Sequence, residues 1–280
     1  MKIPQLFSAG VTESLLPETL GHKYQPVAMK LAVKSGHRCE VSGYPYPPMD
    51  KVQRQTQATT PLMIEARDKD EHGQPLSSKA MSDRIRKQGV NPQTVRMVCP
   101  LVFWSRHVDL AIRYGRGELI FAPWISQGEL VTLFRTLSVA KGQPEKYQNI
   151  PTLRMASQVM EEIASNMGNE AILTEVLALP ENTEWDADVW LQTLKTLPQR
   201  ERRVYQDRFA KHLRFWPSAN AFSTLNGYWA NTAHAVDESE VSGLGCPWIR
   251  HYTLPYEKAL QQLAVPSAAA KNKKLSTDEA

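Results

Sequence analysis

The chain has 280 residues, of which 42% are hydrophobic and 22% charged, and its formal charge is +4. This is the balance of an ordinary globular protein, long enough for one substantial core or a core with a smaller appendage. So mild a charge argues against a general affinity for nucleic acid or membrane unless basic residues cluster locally.

Three cysteines, Cys39, Cys99 and Cys246, are too few and too scattered for a disulfide framework and fit a reducing compartment. The first residues, "MKIPQLFSAGVTESLLPETLGHKYQ", lack the apolar run of a signal peptide. No stretch approaches the roughly 18 apolar residues of a spanning helix. The expectation is a soluble cytoplasmic protein that reaches a membrane only through partners.

Residues 1–24 carry Pro4, Gly10, Pro17 and Gly21 and read as an arm, extended or built of short elements. "PVAMKLAVKSGHRC" reads as a helix running into a turn. "YPYPPMD" follows, and its prolines lack donors and fix φ, so it is an extended loop. "TPLMIEA" has strand character, "RDKDEHGQPLSSK" is turn-forming, and a short helix fits 80–88. "QTVRMVCPLVFWS" is rich in Val and aromatics and reads as strand on both sides of Pro100. "IRYGRGELIFAPW" reads as a glycine turn followed by a strand.

From 126 the period changes. Ser126 and Glu129 form a capping box, and Leu130, Leu133, Phe134, Leu137 and Ala140 follow at helical spacing. Leu153 to Met167 gives a second amphipathic helix, "EAILTEVLAL" a third, and Trp190 to Leu197 a fourth. A fifth is predicted over 199–216. Tyr205, Phe209, Leu213 and Trp216 form its apolar face, with Arg200, Arg203, Lys211 and Arg214 opposite as a candidate basic surface. Trp229, Trp248, Tyr252 and Tyr256 suggest that 218–265 packs on the core. Residues 266–280 read as a disordered tail. The front half, 25–125, is thus strand and loop, and 126–217 is helical.

Three groups of residues invite a chemical reading. "HRCEVSGYPYPP" begins like a zinc knuckle, but Ser42 stands where the second thiolate of a C-x-x-C belongs. Cys99 is followed at the same spacing by Val102. A structural zinc ion needs four ligands, commonly in two close pairs. Serine is a poor ligand and valine is none. His37 and His107 are the substitutes that could complete a Cys2His2 set. Asp68, Asp70 and His72 in "RDKDEH" could bind a divalent ion, although such a run is usually a solvated turn. The basic face of 199–216 could meet phosphates, although such a face is usually just the wet side of a helix. No G-x-S-x-G, H-E-x-x-H or complete C-x-x-C occurs.

The order of features resembles one family. A basic stretch ends in Cys39, an aromatic-Gly turn follows, and a short strand precedes an acidic turn. Cys99 then closes a Val/Met strand, ahead of "YGRGELIFAPWISQGELVTLFRTLSVA". Together with "LPQRERRVYQDRFAKHL", these are similar to the DotN (IcmJ) component of type IVB secretion systems and their conjugative-plasmid relatives. The resemblance spans roughly 25–217 and is densest over 114–137. It implies an α+β fold with a zinc-bound, HNH-nuclease-like ββα core and an appended helical bundle. It also implies an adaptor role, binding the C-terminal tail of the coupling ATPase among the other coupling-complex subunits at the inner membrane.

The chain departs from that family at the four-cysteine zinc site, where only Cys39 and Cys99 match. Zinc, expected in the family, is expected to be lost here. The general-base histidine of HNH chemistry has Glu65 in its stretch, and the asparagine position holds Thr94, with Asn91 nearby. The expectation is a degenerate, zinc-less and non-catalytic core. Val41, Ile64, Met97, Leu101, Val102, Phe103 and Trp104 would pack around the two thiols, each burial contributing about 1.5–3 kcal/mol. The alternative is a metal-dependent nuclease using Asp68, Asp70 and His72, or a DNA-binding protein of conjugation.

Overall fold

The computed structural model describes residues 10–47, 63–149, 156–180 and 183–232. Three short helical pieces open it: α1 (Gly10–Glu13), α2 (Pro17–Leu20) and a 3-10 turn (Gly21–Lys23). Val11, Leu15 and Leu16 are buried, and α1 packs on the strand β1 introduced below, so this part of the arm joins the core. The helix α3 (Tyr24–Lys34) buries Tyr24, Ala28, Leu31 and Ala32, one face at helical spacing.

Two antiparallel strand pairs follow, each with helix between its strands. β1 (Met63–Ala66) pairs with β2 (Val95–Val98), with Glu65 opposite Arg96. Between them runs α4 (Ser78–Gln88), capped by Ser77, whose Oγ accepts the Ala80 amide at 3.2 Å. β3 (Gly117–Phe121) pairs with β4 (Leu213–Pro217). A Cβ at Gly117 would stand 2.2 Å from the Trp216 carbonyl oxygen, so only glycine lets these strands close.

The segment after Pro100 is not strand. It forms α5 (Pro100–Arg106), then α6 (Val108–Arg113) after a break at His107. Pro100 sits in the first turn, where its missing donor costs nothing. Every residue of α5 is buried, so the run "LVFW" shows no amphipathic period to betray a helix.

The helical half is built on α7 (Gln127–Gly142), whose capping box pairs Ser126 and Glu129 reciprocally at 3.2 and 2.9 Å. Packed on it are α8 (Ala156–Met167) and α12 (Ser223–Ala230). The remaining helices α9 (Glu170–Leu177) and α10 (Ala187–Thr196) pack against α11 (Gln199–His212), with α9 also on β3 and α10 on α6. The helix predicted over 199–216 stops at His212, and its last residues become β4. This run is buried on both faces, so no alternation marks it as strand, and the choice is made by a distant partner, β3. Gln127 supports the far edge of β4 like a neighbouring peptide. Its amide donates to the Phe215 carbonyl and accepts the Phe215 amide, each at 2.9 Å.

The chain is therefore α+β, with small antiparallel sheets among helices. One apolar cluster runs through both halves, joining Cys39, Cys99 and Phe103 to Phe134, Leu213 and Trp229. Among the described residues no helix is long and apolar enough to cross a membrane. The predicted tail, and residues 233–265 of the segment before it, lie outside the described residues.

Candidate functional site

The turn after α3 is the first element of the site. Gly36 and His37 both take positive φ, +60° and +57°, which reverses the chain. The Cys39 amide donates to the Tyr44 carbonyl and the Gly43 amide to the Cys39 carbonyl, both at 2.8 Å. The Ser42 amide points at the Cys39 sulfur, 3.5 Å away. The Glu40 amide then donates to the Met97 carbonyl at 3.0 Å, and the Met97 amide to Glu40 Oε1 at 3.1 Å. These bonds dock the turn beside the end of β2, where Cys99 leads into α5.

Both cysteines are free and buried. The two thiols and the Ser42 hydroxyl are close enough for hydrogen bonding among them to bear on their titration. The bond to Cys99 lowers the Cys39 thiol to about 6, against the opposing effect of burial. Burial pushes the Cys99 thiol well up, and its bond to Cys39 adds to this. One sulfur thus leans towards thiolate while the other keeps its proton.

The sequence picked out Cys39, Ser42, Cys99 and Val102, and the fold does bring them together. The donor set is two thiols, one hydroxyl and the methyl groups of fully buried Val102. That set does not supply the four ligands of a structural zinc ion. His107 is engaged elsewhere, its Nε2 3.0 Å from Glu65 Oε1. The His37 ring stands edge-on to Tyr46 at 6.0 Å, with its buried Nδ1 unpartnered among the described residues. Among the described residues no group of three or more His, Cys, Asp or Glu is arranged to hold a metal ion.

Side chains from distant helices hold the turn in place. The Trp229 indole donates to the Pro45 carbonyl at 2.6 Å. Tyr44 meets Thr132 at 2.9 Å, and Tyr46 meets Ser35 at 2.6 Å. Arg135 of α7 lies over the Tyr44 ring at 4.8 Å and the Trp229 ring at 5.0 Å. Ile64, Met97, Leu101, Val102, Phe103 and Trp104 are buried as expected, with Val41 partly so. The sequence reading did not pick out Arg135. Arg135 lies off the stripe of Leu130, Leu133, Phe134 and Leu137, so its burial follows from the packing of α12 and the Tyr44 turn rather than from the period of α7.

The second element is a cluster that sequence reasoning also did not assemble. Glu65 is 3% exposed and receives groups from three directions. Arg96 Nη2 lies 2.7 Å from its Oε2, and Arg106 Nε 2.8 Å from its Oε1, the atom His107 also meets. Both guanidiniums reach on to Asp68, at 3.2 and 3.4 Å. Burial pushes the Glu65 carboxyl up. The His107 hydrogen bond and the Arg106 and Arg96 charges outweigh it and hold the carboxyl well below the usual range. Asp68 is likewise lowered, its burial outweighed by the same two arginines. Two carboxylates thus face two guanidiniums, and the formal charges cancel. Glu65 is held ionised with its oxygens occupied, so it has no proton affinity near neutral pH and no open face for a cation.

Asp68, Asp70 and His72 do not converge. Asp68 belongs to the arginine cluster. Asp70 Oδ1 closes its own turn, accepting the His72 amide at 2.9 Å and the Gln74 amide at 2.8 Å. The His72 side chain is 78% exposed. The basic surface is also smaller than predicted. Arg200, Arg203 and Lys211 are exposed, but Arg214 is buried in β4 and donates to the Ile125 carbonyl at 2.6 Å. Arg202 and Arg208 on α11 donate to the Leu197 and Leu177 carbonyls at the ends of neighbouring helices, at 2.8 and 3.1 Å. Glu201 and Asp207 are exposed among the remaining cations.

A groove of about 420 Å³ lies where the β3–β4 pair meets α8, bounded by Glu118, Lys141, Glu161 and Trp216. No protein-family model matches the chain, and the search of curated proteins gives no match.

Proposed function

We propose that the protein is a non-catalytic adaptor of a type IVB coupling complex, with a degenerate HNH-like core, binding the C-terminal tail of the coupling ATPase. The observation that carries the reading is the placement of Arg96 and Arg106. Where the β1–β2 pair meets α5, guanidinium charge stands against Glu65 and Asp68, whereas a hydrolytic centre would need an open cation site and a free base. The sequence resemblance supplies the partner. Membrane association would come through that partner. The groove beside β3 offers a concave surface at a strand end, a setting in which extended segments dock.

The separation of Asp70 and His72 from Asp68 counts against a metal-dependent nuclease. The acidic residues among the cations of α11 count against simple DNA binding.

The test is co-purification of the tagged protein from its native host. The reading expects enrichment of the coupling ATPase, lost when the ATPase tail is deleted. Repeated purification without the ATPase, together with Mg²⁺- or Mn²⁺-dependent cleavage of plasmid DNA, would overturn it.

A further inference from the structure

The turn carrying Cys39 and the strand end carrying Cys99 are held side by side by two bonds between Glu40 and Met97. The Glu40 amide donates to the Met97 carbonyl at 3.0 Å, and the Met97 amide donates to the Glu40 side chain at 3.1 Å. The two thiols are neighbours, both are free, and the Ser42 amide reaches the Cys39 sulfur at 3.5 Å. Both thiols are buried, Cys39 at 2% and Cys99 at 0% exposure, so only a small oxidant that penetrates the packing reaches them. Cys39 lies on the turn between exposed Arg38 and Glu40, the side nearer solvent, with Cys99 deeper.

We propose that Cys39 and Cys99 form a reversible disulfide when the protein meets a peroxide. The Cys39 sulfur attacks one peroxide oxygen, the O–O bond breaks, and the first water leaves. The Cys39 sulfenic acid is then attacked by the Cys99 sulfur. The S–O bond breaks, the S–S bond forms, and the second water leaves. Two thiols lose two electrons and two protons, and the peroxide is reduced to two waters. A dithiol reductant reverses the bond. The covalent link pins the turn to the β2–α5 junction and shortens the unfolded chain's freedom between the two positions. This inference stands apart from the adaptor reading.

The test uses the full chain with Cys246→Ser, treated with hydrogen peroxide under native conditions, then denatured and labelled with a maleimide polymer. The reduced protein takes two labels. The oxidised protein is expected to take none, to run as a monomer without reductant, and to regain both labels with dithiothreitol. Its melting temperature is expected to rise by roughly 5–10 °C. Wild-type protein, digested and read by mass spectrometry, should give the Cys39–Cys99 linked peptide, so the result does not depend on the variant. Retention of both labels after oxidation would overturn the proposal. So would sulfinic acid at Cys39 without the linked peptide, or a bond formed only between chains.

Discussion

Glu65 on β1 and Arg96 on β2 stand directly opposite in the strand register, with Arg96 Nη2 2.7 Å from Glu65 Oε2. Arg106 closes the same carboxylate from the helix side at 2.8 Å. Strand, strand and helix are thereby held by one carboxylate. Removing one partner of such a buried pair leaves the other charge uncompensated, which costs more than the pair contributes. Arg106→Met should destabilise the protein by about 3–5 kcal/mol, read by urea unfolding followed by circular dichroism. A loss under about 1 kcal/mol would mean the cluster is solvated.

The same cluster sets a pH dependence. The Glu65 carboxyl is lowered in the folded state, so its stabilisation is present above the ordinary carboxylate value of 4.5 and fades as pH falls below it. Asp68 acts in the same direction. Stability measured from pH 6 down to pH 3 should fall in the wild type, and the slope should be shallower in Glu65→Gln. Equal slopes would place the acid sensitivity elsewhere.

A second buried acid ties the helical half to α6. Asp109 is fully buried, and Lys195 of α10 reaches its Oδ2 at 2.8 Å. Lys195→Met should cost about 3 kcal/mol or more by urea unfolding, because the carboxylate stays behind. Asp109→Asn with Lys195→Met should recover part of that loss. A double variant no better than the single would show that the two groups do not act as a pair.

Trp229 holds the Cys39 turn by packing and by one hydrogen bond, and the two contributions separate. Trp229→Ala should cost about 3–5 kcal/mol. Trp229→Phe keeps much of the bulk but removes the 2.6 Å bond to Pro45, with a further loss of about 1 kcal/mol expected for the bond itself. Thermal melts of both variants give the order. Equal losses would mean that the ring packs no better than a methyl group.

Much of this architecture was legible in the sequence, for identifiable reasons. The capping box at Ser126, the glycine turn before β3 and the short helix in "EAILTEVLAL" all rest on local pattern, and they stand where that pattern put them. Two elements were misread because their evidence is not local. The all-buried α5 hides its period, and β4 exists because β3 accepts it. The site divides in the same way. Cys39, Ser42, Cys99 and Val102 are legible because they share one spacing. The arginine cluster is not, because Glu65, Asp68, Arg96, Arg106 and His107 meet only after the β1–β2 pair has closed on α5.

The buried contact that these five residues make gives the most direct test. The melting temperature of the purified chain is measured with and without millimolar Mg²⁺ or Mn²⁺. Guanidinium groups already neutralise the carboxylates, so no divalent ion should stabilise the folded state and the shift should stay within about 1 °C. A rise that grows with Mn²⁺ concentration and disappears in Glu65→Gln would show a cation site where the account puts two arginines.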